Sequence, residues 1–576
     1  MKTFVLSCWL VLTGYCVLAQ GFLKRSGARI VNSEGENVLL RGFGLGGWML
    51  QEGYMLKVYK EGQQYRIRER IQELVGPERT AEFYNLWLAN HTTRADIDAL
   101  KKWGFNSVRL PMHFNLYTLP ADQEPVKGQD TWLEKGFAMT DELLAWCKAN
   151  GLYLILDLHA APGGQGNDLN ISDRDPSRPS LWESAENQRK TVALWRKLAE
   201  RYKDEPWIGA YDIINEPNWG FTDPKNDRNG TKEKNNAPLR KLMVDITNAI
   251  REVDNNHIVI IEGNGWGNNY SGVFPPWDSN MVLSYHKYWN YNNEASIRHM
   301  LEARDKYNIP IWLGETGENS NVWFTEAIRL LEKHNIGWAW WPLKKIGINN
   351  PLEIVAPEGY AKILKYWSDS SAPRPSADEA WVALKSLAEA AHFSKNKQHP
   401  DVVDAMIRQP ADPSAKPSAS VVLVDRVSFK MSAAMYDHGA NGYAYYDKDT
   451  ANYRVSDPKH TGGNRGGAQR NDGVDIVSDS ARAWISHIEP GEWTQYTFKL
   501  RQNVPLDISI TARGGEKPGK FTVLLDGKPM AENVTIPAGK DWQKVAIGRI
   551  KPGLGDHSIR IVAETGGFEW EWLHLE

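Results

Sequence analysis

From Val38 to about Lys344 the chain alternates short apolar runs with longer stretches whose apolar positions recur every three to four residues. The runs are Leu39–Gly46, Asn106–Met112, Tyr153–His159, Ile208–Glu216, His257–Gly263, Met281–Tyr288, Ile311–Glu315 and Gly337–Trp341. Between them, Asp96–Trp103, Thr140–Asn150, Glu183–Lys203, Leu239–Val253, Glu294–Tyr307 and Trp323–Lys333 carry the helical period. Eight strand-like runs separated by helices, over roughly three hundred residues, predict an α/β fold of the (β/α)8 TIM-barrel type. A doubly wound open sheet is the alternative, but no glycine-rich phosphate turn follows any run.

Helical segments continue to about Arg408, and the Pro-, Ala-, Ser- and Lys-rich stretch 409–420 predicts a semi-stiff exposed linker. Beyond it the period changes to two. Trp493–Leu500, Leu506–Thr511, Phe521–Leu525, Gln543–Ile547 and Ser558–Val562 alternate between Gly- and Pro-rich breaks, which predicts an all-β jelly-roll sandwich over 421–576. The barrel domain is assigned to 20–408.

The first nineteen residues predict a secretory signal: Lys2, an apolar stretch from Phe4 to Leu18, and Val17-Leu18-Ala19 before Gln20. The stretch is short for a membrane span, and no other candidate span follows. Cys16 offers an alternative reading as a lipid-anchor site, against which stands the bulky Tyr15 before it. Cleavage after Ala19 leaves Cys147 alone, so no internal disulfide is expected. The expected location is outside the cell or at its surface, or the periplasm in a bacterium, and the expected state is a monomer.

Charge is nearly balanced, 68 basic side chains against 71 acidic ones, so no nucleic-acid partner is expected. Tryptophan changes the picture: 25 in one chain exceeds ordinary core filling and suits a ligand with apolar faces and polar rims, as sugars have.

Polar residues gather at the C-terminal ends of the runs, where a barrel places its active site. Asp212-Ile213-Ile214-Asn215-Glu216-Pro217 ends the fourth run and Trp312-Leu313-Gly314-Glu315-Thr316-Gly317 the seventh. Strands four and seven face each other across a barrel mouth, so Glu216 and Glu315 can flank one glycosidic bond. A separation of about 5–5.5 Å makes such a pair retaining. Glu318 is expected in solvent. No His-Glu-x-x-His run, Cys pair or Asp-rich loop suggests a metal, so no cofactor is expected. No Gly-x-Ser-x-Gly elbow suggests an esterase.

These motifs resemble glycoside hydrolase family 5 over about Phe22 to Trp367. Arg41-Gly42-Phe43-Gly44-Leu45-Gly46-Gly47-Trp48 and Asp157-Leu158-His159-Ala160-Ala161-Pro162-Gly163 resemble its fungal exo-β-1,3-glucanase branch most. The resemblance implies Glu216 as acid/base and Glu315 as nucleophile. It implies Arg109 near the nucleophile, keeping it ionised, and Asn215 on the sugar 2-hydroxyl. It implies His159 lining the subsite of the cut sugar, His286 and Tyr288 as a pair whose tyrosine hydrogen-bonds the nucleophile, and Trp341 as the floor under that sugar. The implied substrate is a β-glucan, with β-1,3 linkage favoured over cellulose, mannan or xyloglucan. A non-catalytic glycan-binding protein is the alternative class. Trp338 and Trp340 are expected to pack, while Trp48, Trp219, Trp266 and Trp289 divide evenly between packing and sugar contact.

From about Val421 the chain resembles a family 6 carbohydrate-binding module, through Asn441-Gly442-Tyr443-Ala444-Tyr445-Tyr446-Asp447, Asn471-Asp472-Gly473-Val474-Asp475-Ile476 and Gly491-Glu492-Trp493-Thr494-Gln495-Tyr496. That resemblance implies an aromatic pair sandwiching a sugar, with Tyr446 and Trp484 as candidates. The paired glutamates that often bind calcium there are not evident in Phe429–Ala434.

Overall fold

A computed structural model describes residues 21–419, 422–423, 428–451, 462–503 and 505–576. The signal segment expected over 1–19, with Cys16, lies outside the described residues. Eight parallel strands close into a barrel: β1 (Arg41–Gly44), β2 (Ser107–His113), β3 (Tyr153–Ala160), β4 (Ile208–Asp212), β5 (Ile258–Glu262), β6 (Met281–Lys287), β7 (Ile311–Gly317) and β8 (Gly337–Trp341), with β8 pairing back onto β1. The strands are buried on both faces because alternate side chains serve two cores. Tyr153 and Ile155 of β3 point into the barrel with Ala210, Ile258, Ile260, Val282 and Trp312. Leu154, Leu156 and Leu158 point outward against the helices.

The helices start and stop for local reasons. In α1 (Arg94–Trp103), Thr93 and Asp96 form a reciprocal capping box, and Gly104 ends the helix at φ 103. In α2 (Glu134–Asn150) the left-handed terminator is Gly151. The side chains of Ser184, Asn293 and Ser320 accept the first free N–H groups of α3 (Ala185–Tyr202), α4 (Glu294–Tyr307) and α5 (Asn321–Lys333). Two helices the run pattern did not single out, Gln64–Val75 and Pro77–His91, are inserted after β1. They pack on Glu358–Ser368 and Ala377–Ala390 around a separate core containing Phe83, Trp87, Tyr360 and Leu384. Trp338 and Trp340 pack between barrel and helices, as expected.

The C-terminal region forms two facing antiparallel sheets. One carries Trp493–Leu500, Gly555–Ala563, Gly519–Leu525 and Lys528–Ile536. The other carries Ala483–Ile485, Glu569–Leu575, Leu506–Arg513 and Gln543–Ile550. The segment before it is tied down rather than free. Arg329 of α5 donates to the carbonyls of Gln409 and Pro410, and Lys416 pairs with His438.

Tyr446 and Trp484 do not form the expected aromatic pair. Tyr445 and Ile485 fill the sandwich core, so strand alternation turns each neighbour outward, on opposite sheets. Trp484 instead pairs with Trp542 at 6.0 Å. Among the described residues no helix is long and apolar enough to cross a membrane, and Cys147 is buried as a free thiol.

Candidate active site

The C-terminal strand ends open on a cleft of about 1130 Å³ whose lining includes Glu216, His286, Tyr288, Glu315 and Trp341. Glu216 follows β4 in a left-handed conformation, φ 43. That region costs a non-glycine residue energy, and Pro217 after it disfavours the right-handed alternative. Both backbone polar groups are satisfied: the Glu216 N–H donates to Glu262 Oε2 at 2.7 Å, and its carbonyl accepts from Asn218 at 2.9 Å. Glu315 sits where the pairing of β7 with both β6 and β8 slips by a residue, a bulge that re-aims its side chain at the mouth.

One carboxylate oxygen of Glu216, one of Glu315 and a ring nitrogen of His286 lie within 4.8 Å of one another. That is a spacing also compatible with a cation, but the oxygens of Glu315 already have partners. Arg109 donates to Oε2 at 2.9 Å and the Tyr288 hydroxyl to Oε1 at 2.6 Å. The two glutamates therefore differ in kind. Burial raises the Glu216 carboxyl to about 7, against the pull of His286 and with the push of Glu315. His286 places Nδ1 2.5 Å from Glu216 and Nε2 3.1 Å from Glu262. Burial opposes its charge, but Glu262, Glu315 and Glu216 outweigh it and raise its pKa.

Arg109, fully buried on β2, is the hub beneath. Besides Glu315 it donates to Asp212 at 2.8 Å, to Asn215 Oδ1 at 2.8 Å and to Glu262 at 3.2 Å, and it lies 3.2 Å from Asp157. Each buried charge thus has a partner, the condition for holding it out of water.

The structure brings all eight expected barrel residues together, though not all as expected. Arg109, Asn215 and His159 lie one layer below the cleft surface. Asp157 draws His159 inward, Nδ1 to Oδ2 at 2.7 Å, and the imidazole lies parallel beneath Trp341, centroids 4.9 Å apart at 9°. Trp341 in turn donates Nε1 to the Tyr54 hydroxyl at 3.0 Å. Its flat seat depends on two glycines: a Cβ at Gly44 would come 2.5 Å from the indole and one at Gly46 2.6 Å.

Glu318, expected in solvent, is instead only 9% exposed and lines the cleft. Its left-handed backbone, φ 53, turns the side chain back toward Lys345. Trp266 and Trp289 line the cleft, whereas Trp48 is buried and donates to the Leu88 carbonyl. Two participants were missed. Glu262 closes β5 as Glu216 follows β4, so its strand-end position was a usable signal. Glu52, raised by burial to about 8, lies in the loop after β1, where no pattern singled it out.

Residues 70–346 match the family model described as cellulase (glycosyl hydrolase family 5). A beta-xylosidase of Phanerodontia chrysosporium is 27% identical over 381 residues, covering 60% of this chain and 75% of that protein. Endoglucanase C of Acetivibrio thermocellus is 25% identical over 316 residues, 44% of this chain and 84% of its own. A probable glucan 1,3-beta-glucosidase A of Aspergillus clavatus is 30% identical over 191 residues, 33% of this chain and 43% of its own.

Proposed function

We propose that the family 5 glycosyl hydrolase domain of this chain is a retaining β-glucanase acting by double displacement. That the chain is a glycoside hydrolase follows from the family match and from relatives named as glycosidases. The observation that carries the retaining mechanism is the close approach of two unlike carboxyl groups, Glu216 and Glu315, within 4.8 Å. This fits the roughly 5–5.5 Å of retaining pairs and is shorter than the roughly 6.5–9.5 Å of inverting ones.

Glu216, its carboxyl raised to about 7, holds a proton near neutral pH and delivers it to the glycosidic oxygen. Glu315, fixed by Arg109 and Tyr288, attacks the anomeric carbon and forms a glycosyl–enzyme ester as the C–O bond breaks. Glu216, now a base, takes a proton from water, which attacks the same carbon and frees the sugar with its configuration retained. Trp341 offers the apolar face on which the sugar rests.

A β-1,3-glucan is the favoured substrate. Its support is the strand-one and strand-three motifs and the glucan 1,3-beta-glucosidase relative; the beta-xylosidase relative adds aryl β-xylosides and xylan to the test. Secretion is proposed from the N-terminal Lys2 and apolar stretch. Incubation with laminarin, pustulan, carboxymethylcellulose, mannan and xylan, with products sized over time, identifies substrate and mode. Glucose alone from laminarin means exo attack, and a ladder of oligomers means endo. Glu315→Gln is expected to bind the substrate with almost no turnover; full activity in that variant would reject the assignment.

A further inference from the structure

The cleft is not built by the barrel alone. Its lining also includes Gly462, Asn464 and Asp472 of the β-sandwich, beside Tyr59 and Trp289 from barrel loops. This sandwich loop is clamped to the barrel by buried polar bonds. The Asn471 N–H donates to Asp401 Oδ2 at 3.0 Å, and its side-chain amide donates to the Asn319 carbonyl at 2.8 Å. The Asn321 N–H donates to the Asn471 carbonyl at 2.8 Å, and the Asn321 amide to Asp401 at 2.8 Å. Next to it, Arg470 lies over the Tyr436 ring at 4.0 Å and donates to the Tyr436 carbonyl at 2.8 Å, which stiffens the loop from the sandwich side. Moving the sandwich away would leave several buried donors and acceptors unpaired. Meanwhile Tyr59 and Trp289, 73% and 57% exposed, present large rings within a concave surface. Exposed rings in a concave surface match the apolar faces of a sugar chain, and Asn464 and Asp472, held by bonds within the sandwich, give the facing wall a fixed shape.

We propose that the sandwich loop 462–472 and this barrel rim together form a second saccharide subsite, beyond the sugar held on Trp341. The C-terminal domain then acts as a fixed wall of the catalytic cleft and sets how a longer substrate is accepted. The proposal rests on the glycosidase reading above.

Gly462 supplies the test, because it lines the cleft and a Cβ there meets nothing among the described residues within 4 Å, so a larger side chain is expected to narrow this part of the cleft. In the full-length protein, kcat/KM is measured for Gly462→Ser, Gly462→Phe and Gly462→Trp. The substrates are the p-nitrophenyl β-glycoside of the preferred sugar and the matching tetrasaccharide. The tetrasaccharide-to-aryl ratio is expected to fall with side-chain size, by about fivefold or more for tryptophan. A ratio that stays within about twofold of the parent across the series overturns the subsite. A parent enzyme that cleaves neither substrate class overturns the glycosidase reading instead. The serine and phenylalanine variants keep the comparison available if the tryptophan variant does not fold.

Discussion

Glu262 accepts the backbone N–H of Glu216 at 2.7 Å, so one buried glutamate holds the main chain of another in its left-handed conformation. The same carboxylate also takes His286 and Arg109. Glu262→Gln keeps the shape and removes the charge that supports His286. The expected loss in kcat/KM is ~10–100-fold, or about 1.4–2.7 kcal/mol of transition-state stabilisation. Steady-state kinetics measure it, and parent-like kcat/KM would show that the contact is only structural.

The pH profile has a definite sign. Glu216 is raised above the ordinary carboxyl range to about 7, so it is protonated below that pH and loses its proton above it. Because proton donation opens the reaction, kcat/KM should decline as pH rises through about 7. His286 is the group that pulls Glu216 downward, so His286→Asn should move this alkaline limb to higher pH. An unmoved limb would mean that another group titrates.

The Tyr288 hydroxyl donates to Glu315, and Tyr288→Phe removes that hydrogen bond with little change in volume. A drop in kcat of ~10-fold or more is expected, with substrate affinity less affected. Binding of an oligosaccharide by calorimetry separates the two effects.

Arg109 is the cation among Asp157, Asp212, Glu262 and Glu315. Arg109→Met would strand buried carboxylates without their partner and should destabilise the fold by ~3–5 kcal/mol, visible in denaturant unfolding. Unchanged stability would mean that water reaches the site freely.

The sandwich and the barrel share the buried Asp401–Asn321–Asn471 junction. Calorimetry of the parent should therefore show one coupled unfolding transition, and Asn471→Ala should split or broaden it. Two separate transitions already present in the parent would contradict the coupling.

The barrel was legible because a parallel strand buried on both faces reads as a continuous apolar run, and its end is marked where a polar group interrupts that run. Glu216 and Glu315 were found by this rule, and Glu262 obeys it too, although it ends the fifth run without a motif around it. Glu52 was not legible: it follows a short first strand in a loop that Gln64 and Tyr84 of the inserted helices hold through Gln51. Glu318 was misplaced because a left-handed turn after Gly317 has no period to reveal it. The aromatic pair in the sandwich failed for a simpler reason. The two-residue period that identified the strands also fixes which neighbour faces inward, and applied to Tyr445 and Ile485 it separates Tyr446 from Trp484.

The bare Cα positions of Gly44 and Gly46 leave the indole of Trp341 nowhere to retreat and nothing to climb over. Even an alanine at either place would tip the ring off the His159 imidazole. Any added side chain on this wall would therefore dislodge the very ring that the chamber is built around.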